Sequence, residues 1–487
     1  MDILDYSAVD LSKAVKEKEI SATEVVRAYS LRIKEVDKDI NAYISLSEDV
    51  FKDAEVIDKK ISAGESVGDM AGVPVAVKDN IMTRNLRSTC GSKILENFVP
   101  PYDATVVEKL KRNDALIIGK TNMDEFAVGG SNENSYFGFV RNPVDKERVP
   151  GGSSGGSAAA VTAKEALVAL GSDTGGSIRQ PASFCGIVGI KPTYGMVSRF
   201  GVASMANTLD QVGTFGRDVR DTFYTLRSIS GFDERDLTSF DANISIDFTK
   251  SLEESYEESM EWIRGKKIAI PEEYFIEGLN PQINSLIMQV VDMYEEMGAI
   301  VESVNFPHLE YALPAYYAIA PSELSSNLAR FDGIRYGNRV EEYEDIDEMF
   351  EKTRDDGFGE EVKRRIILGT MCTQGGFNKN FYGKALKART LIVEDMTKIF
   401  DDYDLIISPT TPTTAFKIGE RKADPMSMYL ADVFTVPLNL AGNCGISIPC
   451  GEVDGLPLGF QLMAERFEDE KLYYAGMAYE GVMRNVL

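Results

Sequence analysis

Two glycine–serine loops flank one short strand: Pro150-Gly151-Gly152-Ser153-Ser154-Gly155-Gly156-Ser157, the small-residue helix Ala158–Ala163, the apolar run Leu167–Leu170, then Gly171-Ser172-Asp173-Thr174-Gly175-Gly176-Ser177-Ile178-Arg179. Glycine tolerates positive φ and lets backbone approach backbone closely, so such loops turn several N–H groups toward one point. Both precede an expected helix start, where free amides favour negative charge. This is the layout of a phosphate cradle or an oxyanion hole. The same alternation of strand, turn and helix spreads outward. Val73–Val77 is an apolar run closed by Lys78, residues 103–112 read as a helix, and Ala115–Ile118 as a strand. Ser21-Ala22-Thr23-Glu24 is a capping box for a helix with Val25, Val26, Tyr29, Ile33 and Val36 on one face. Lys267–Ile270, 300–305, Leu405–Ile407, Gly445–Pro449 and Leu458–Met463 read as strands, with a helix over 281–297. Alternating elements predict an α/β fold on a large mixed, mostly parallel sheet flanked by helices.

No Pro/Gly/Ser linker divides the 487 residues. One domain over 1–487 is expected, with N-terminal helices over about 1–60, a core over about 61–230, an inserted helical and acidic region over about 231–370, and the rest of the core over 371–487. The texture changes after residue 230: positions 233–261 hold ten acidic and two basic side chains.

Composition excludes several chemistries. There is one histidine, His308, so no site can rest on two histidine ligands, and a single residue is available as base for a Ser-His-Asp triad. It sits in Asn305-Phe306-Pro307-His308, the setting of a loop or surface residue. No metal site is expected. The net charge of −25 opposes direct gripping of a phosphate backbone, and there is no Lys/Arg block. The five cysteines form no C-x-x-C pair, which fits buried thiols in a reducing cytoplasm. The acidic N-terminus and the lack of a long apolar run predict neither signal peptide nor membrane span.

Neither loop carries the Walker lysine or G-x-G-x-x-G, which argues against nucleotide binding. Gly152–Gly156 matches G-x-S-x-G, yet a loop rather than a strand precedes it, so a nucleophile elbow is not expected there. A serine hydrolase without histidine needs another base. S-x-x-K does not occur, and the best lysine is Lys78, whose stem enters from a buried strand where desolvation would lower its pKa.

Three separated motifs, Gly72–Asn80, Gly151–Ser157 and Gly171–Pro181, occur in the order and register of the amidase signature family, which the chain resembles from its first helix to about residue 465. Within that family, Arg330–Gly337, Gly359–Ile366 and Pro409–Thr413 are similar to the glutamyl-tRNA(Gln) amidotransferase A-subunit branch, the glutaminases of tRNA-dependent amidotransferases. The resemblance implies a Ser-Ser-Lys triad with Ser177 as nucleophile, Ser153 as the bridging serine and Lys78 as base, and a cis peptide before Ser153. It implies an oxyanion hole from the amides of Thr174, Gly175, Gly176 and Ser177. It places Arg365 on the carboxylate of glutamine, Asp432 on its ammonium, and Tyr316 and Gly130 along the pocket. It further implies that ammonia passes to a second site, where Glu-tRNA(Gln) becomes Gln-tRNA(Gln). ATP, Mg and most tRNA contact would then belong to the B-subunit, a small C-subunit would complete a heterotrimer, and this chain would bind no cofactor itself. A free-standing amidase acting on a small or acyl amide is the alternative, for which the Arg365/Asp432 pair is the discriminator. Gly130, Gly376–Tyr382 and Asn443-Cys444 depart from the branch's usual pattern.

Overall fold

A computed structural model describes residues 2–275, 279–375, 379–421 and 424–486. Among them eleven strands form one sheet: β1 (Tyr43–Leu46), β2 (Pro74–Lys78), β3 (Leu116–Thr121), β4 (Val168–Asp173), β5 (Val188–Lys191), β6 (Gln211–Gly216), β7 (Lys267–Pro271), β8 (Ile300–Val304), β9 (Leu405–Pro409), β10 (Cys444–Val453) and β11 (Leu456–Ala464). Their order is β1-β3-β2-β4-β6-β5-β10-β11-β9-β7-β8. Of the departing segment Gly376–Tyr382, Gly376–Asn378 lie outside the described residues.

The mixed sheet with helices on its faces is as expected, but its parallel share is smaller. Parallel pairing is confined to β3-β2-β4 and β9-β7-β8, four of the ten neighbour pairs. The six others are antiparallel. The reason is local. Asp454 and Gly455, with φ of 53° and 76°, make a two-residue turn between β10 and β11, and a loop that short closes only an antiparallel hairpin. Strands β5 and β6 lie in the middle of the sheet, yet Gln211-Val212-Gly213-Thr214-Phe215-Gly216 offers no apolar run to betray it. Strands β7 and β8 extend the sheet edge from within the acid-rich region, which otherwise supplies helices.

Burial follows the sequence. Every residue of β2, β3, β4 and β6 is buried, as expected for strands covered on both faces. The helix Gly155–Thr162 is buried on almost all sides. A Cβ on Gly156 would stand 2.4 Å from Asn122 O and 2.6 Å from Ala42 O, so only glycine lets this helix press against the strands. The expected capping box is present, Ser21 and Glu24 bonding each other's backbone at the start of Ala22–Ile40. The helix Glu360–Thr373 packs on Ala312–Leu328 at Gly369, where a Cβ would fall 1.8 Å from Pro321 O. That close approach brings Arg365, one turn earlier, over Tyr317. All five cysteines are free and buried. Among the described residues no helix is long and apolar enough to cross a membrane.

One buried acid gives the fold a pH signature. Glu165 is fully buried facing Asp37, and burial first, then the Asp37 charge, push its carboxyl from 4.5 up to about 9. The folded chain therefore holds this proton more tightly than the unfolded one. Its contribution to stability is complete below the ordinary carboxyl range and is lost as pH climbs toward about 9. Glu165→Gln keeps the shape of the neutral acid. Thermal melts between pH 5 and 9 should show the variant gaining on the wild type as pH rises, and parallel curves would contradict this account.

Candidate active site

Lys78 ends β2, next to the C-terminal end of its parallel neighbour β4. Its side chain is fully buried. Nζ lies 2.8 Å from Ser153 Oγ, 2.8 Å from Ser154 Oγ, 3.0 Å from Ser172 Oγ and 3.3 Å from Ser172 O. Among the described residues no carboxylate touches it, so burial lowers its pKa to about 7, and the charges of Asp124, Asp173 and Asp210 restore only part of the loss. An amine poised there exchanges a proton readily at neutral pH.

The two glycine–serine loops meet around this amine. The Gly152–Ser153 peptide is cis. Behind it, Asp124 accepts the amides of Asn132 (2.9 Å) and Asn134 (3.2 Å), and a Cβ on Gly152 would lie 2.1 Å from Asp124 Oδ2. Ser154 N donates to Ser177 O at 3.2 Å, which ties the first loop to the second. Ser177 is 9% exposed, against none for Ser153 and Lys78, and so stands at the open end of the row. Among the described residues its hydroxyl makes no hydrogen bond, so the Lys78–Ser153 half of the expected relay is formed and the Ser153–Ser177 half is not.

Asp173 organises the second loop. It accepts Gly176 N (2.8 Å), Ile178 N (3.2 Å), Arg179 Nε (3.1 Å) and Asn439 Nδ2 (2.8 Å). Burial alone would raise its carboxyl, but Arg179, Lys191 and Asn439 outweigh that and hold it at about 2. Arg179 is itself fully buried and reaches Thr435 O, Gln461 Oε1 and Asn439 Oδ1. The expectation that Gly176 contributes to an oxyanion hole is corrected here. Its amide is committed inward to Asp173, which leaves the amides of Thr174, Gly175 and Ser177 as the available donors on this turn.

Beside the loop opens a cavity of about 520 Å³. All four residues assigned to substrate by resemblance, Gly130, Tyr316, Arg365 and Asp432, line it. It abuts the nucleophile loop, since a Cβ on Gly175 would lie 2.7 Å from Tyr316 Oη, and Thr435 Oγ1 donates to Gly175 O at 2.6 Å. Arg365 is 4% exposed, and its guanidinium lies over the rings of Tyr317 (4.8 Å) and Tyr429 (4.5 Å) while Nε donates to Glu361 Oε1 at 2.8 Å. The neighbouring Arg364 is half-exposed. Tyr317 Oη donates to Asp432 Oδ2 at 2.8 Å. Burial pushes the Asp432 carboxyl up to about 7 against that bond and the Arg365 charge. The cavity thus offers a fixed cation and a buried acid, held apart by one tyrosine.

Sequence reasoning did not find Tyr317, Tyr429, Glu361, Asp173 or Arg179. Three had a readable signal: Glu361 precedes Arg365 by four residues, the spacing of a helical ion pair, and Asp173 and Arg179 bracket a turn with no other charge in it. The tyrosines had none, since stacking depends on which helices meet. His308 pairs with Asp395 (Nδ1···Oδ2, 2.8 Å) away from the serines. Among the described residues no three His, Cys, Asp or Glu side chains are grouped to hold a metal.

The chain is similar to known proteins over nearly its whole length. The sequence profile of the amidase family matches residues 24–473. The glutamyl-tRNA(Gln) amidotransferase A-subunit of Persephonella marina is 52% identical over 470 residues, covering 96% of this chain and 95% of that one. The A-subunit of Carboxydothermus hydrogenoformans is 53% identical over 481 residues, covering 99% and 98%. Among solved structures, the Thermotoga maritima A-subunit superposes with a TM-score of 0.80 at 40% identity, covering 99% of this chain and 95% of that one. The peptide amidase of Stenotrophomonas maltophilia superposes with a TM-score of 0.82 at 27% identity, covering 99% and 97%. With the match spanning nearly the whole length, this chain belongs to the amidase family.

Proposed function

We propose that the chain is the glutaminase subunit of a glutamyl-tRNA(Gln) amidotransferase. The observation that carries this reading is the cavity in which Arg365 and Asp432 face one substrate volume next to the Ser177 loop. A free amino acid with a side-chain amide carries a carboxylate and an ammonium at fixed separation, and this pair fits both. A hydrolase for acyl amides would line the same space with apolar side chains. The similarity to amidotransferase A-subunits supports the reading.

The chemistry follows from the proton inventory. Neutral Lys78 accepts the Ser153 proton as Ser153 accepts that of Ser177, whose oxygen attacks the side-chain amide carbon of glutamine. The amides of Thr174, Gly175 and Ser177 surround the developing oxyanion, each donor contributing about 3 kcal/mol. The C–N bond then breaks, and the relay returns its proton to the leaving nitrogen, releasing ammonia and a Ser177 acyl-enzyme. Water attacks that ester with the same base, giving glutamate and restoring Ser177. A substrate ammonium beside Asp432 keeps its carboxyl ionised despite burial.

Ammonia is then used elsewhere in a larger assembly. We assign ATP, Mg and the conversion of Glu-tRNA(Gln) to Gln-tRNA(Gln) to a partner B-subunit, with a C-subunit completing a heterotrimer. The charge of −25 supports leaving tRNA contact mainly to the partner. The five buried free thiols support a cytoplasmic setting.

Ser177→Ala should reduce ammonia release from glutamine to background, and wild-type turnover in that variant would remove Ser177 from the nucleophile role. Arg365→Ala should raise KM for glutamine roughly tenfold to a hundredfold, the worth of a hydrogen bond to a charged group, and change KM for a simple primary amide little. Equal effects on both substrates would favour the generic amidase. Because the working form of Lys78 is neutral, kcat/KM should rise about tenfold per pH unit below about 7 and level off above it. A profile flat from pH 5 to 9 would exclude Lys78 as base. Glutaminase turnover should increase when the B- and C-subunits are added, and indifference to them would count against the assembly.

A further inference from the structure

The mechanism leaves one buried acid beside the cavity without a role. Glu125 is 3% exposed and lies in the turn Glu125–Ala127, directly before the pocket wall that includes Gly129 and Gly130. That turn is held in a costly conformation, with Phe126 at φ 48° and Ala127 at φ 63°, and two consecutive non-glycine residues there persist only when their surroundings fix them. The Glu125 carboxylate bridges two other segments. Ser92 Oγ donates to Oε1, and the amide of Gly359 donates to Oε2 at 2.8 Å.

Gly359 is the residue at which the helix Glu360–Thr373 begins, and it has no side chain to cap that helix. The first amides of a helix lack internal partners, and a carboxylate there is favoured by the helix dipole as well. Glu125 supplies this cap from a distant part of the chain. The fit is close: a Cβ on Gly359 would fall 2.5 Å from Glu125 Oε2. The adjoining Phe126 ring packs on Phe358 (5.7 Å) and Phe331 (4.8 Å), so apolar contact seats the same junction. Arg365 lies six residues into this helix, about 9 Å along its axis, with Glu361 one turn before it. A shift at the helix start is carried rigidly to the guanidinium.

We propose that Glu125 is a positioning residue for substrate choice: by joining the Gly130 wall to the first turn of the helix that carries Arg365, it helps set the spacing between Arg365 and Asp432 that distinguishes the side-chain amide of a free α-amino acid from a simple amide. The proposal rests on the glutaminase reading for its substrate. Burial pushes the Glu125 carboxyl up to about 7 against its bonds from Ser92 and Gly359, so glutamine is a fair replacement. Its carbonyl accepts the Gly359 amide and its NH₂ faces the Ser92 oxygen.

The test compares wild type, Glu125→Ala and Glu125→Gln in the full-length chain. Glu125→Ala should raise KM for glutamine about tenfold, the loss of one hydrogen bond to a charged group, with kcat/KM for propionamide altered less than about twofold. Glu125→Gln should stay near wild type on both substrates. Hydrogen exchange supplies a readout that needs no substrate. Amides of Gly359–Lys363 should exchange faster in Glu125→Ala and at the wild-type rate in Glu125→Gln, with the helix Ala312–Leu328 unchanged in both. Equal losses on glutamine and propionamide, or unaltered exchange at Gly359–Lys363 in Glu125→Ala, would overturn the proposal. A wild type inert toward glutamine would instead strike the glutaminase reading, while the exchange data would still decide whether Glu125 holds the helix.

Discussion

Everything at the active site depends on keeping one amine out of water without giving it a counter-ion. A lysine buried against a carboxylate stays charged and is useless as a base. A lysine buried among hydroxyls and a carbonyl loses its proton near neutrality. Lys78 is in the second situation because β2 delivers it into the space between two glycine–serine loops, and three serine oxygens meet it there. The neighbouring carboxylates are occupied elsewhere, Asp124 by the amides of Asn132 and Asn134 and Asp173 by Arg179 and the turn that precedes it. The glycines serve the same end, since the loops close around the amine only where Gly152 and Gly156 present no Cβ.

Charge is managed by a different device in the cavity. Arg365 is buried, yet its guanidinium is matched on its faces by two aromatic rings and at its edge by Glu361. Held in this way Arg365 lines the cavity, where a planar carboxylate is the complementary partner of a guanidinium. Tyr317 serves both charges at once, lying under Arg365 and donating to Asp432. Both charges are thereby in contact with one rigid side chain, whose place depends in turn on how the helices around it are seated.

Legibility in the sequence tracked locality. The loops, Lys78, the capping box and the strands β7, β8 and β9 were readable because each is decided by a few consecutive residues. The lone histidine pointed away from the usual triad, and His308 indeed lies apart from the serines. What the sequence concealed depends on contact between distant segments. Strands β5 and β6 carry too little apolar character to stand out, and they account for three of the six antiparallel pairings. The inward turn of the Gly176 amide is imposed by Asp173 and could not be inferred from a run of glycines. The ring stack over Arg365 requires that two helices meet at Gly369.

The chain order of the site has a consequence for inheritance. Base, serines and the organising acid all fall between residues 78 and 179, while Arg365, Tyr317, Tyr429 and Asp432 fall between 317 and 432. The bond-breaking apparatus and the side chains that meet the substrate's charges thus lie in separate stretches, joined through Gly175, Thr435 and Arg179, with Gly130 and Glu125 as the first stretch's share in choosing substrate. Drift in the second stretch alters appetite and leaves the cutting edge alone. Such a layout lets the grip be altered by changing helices around an unchanged blade.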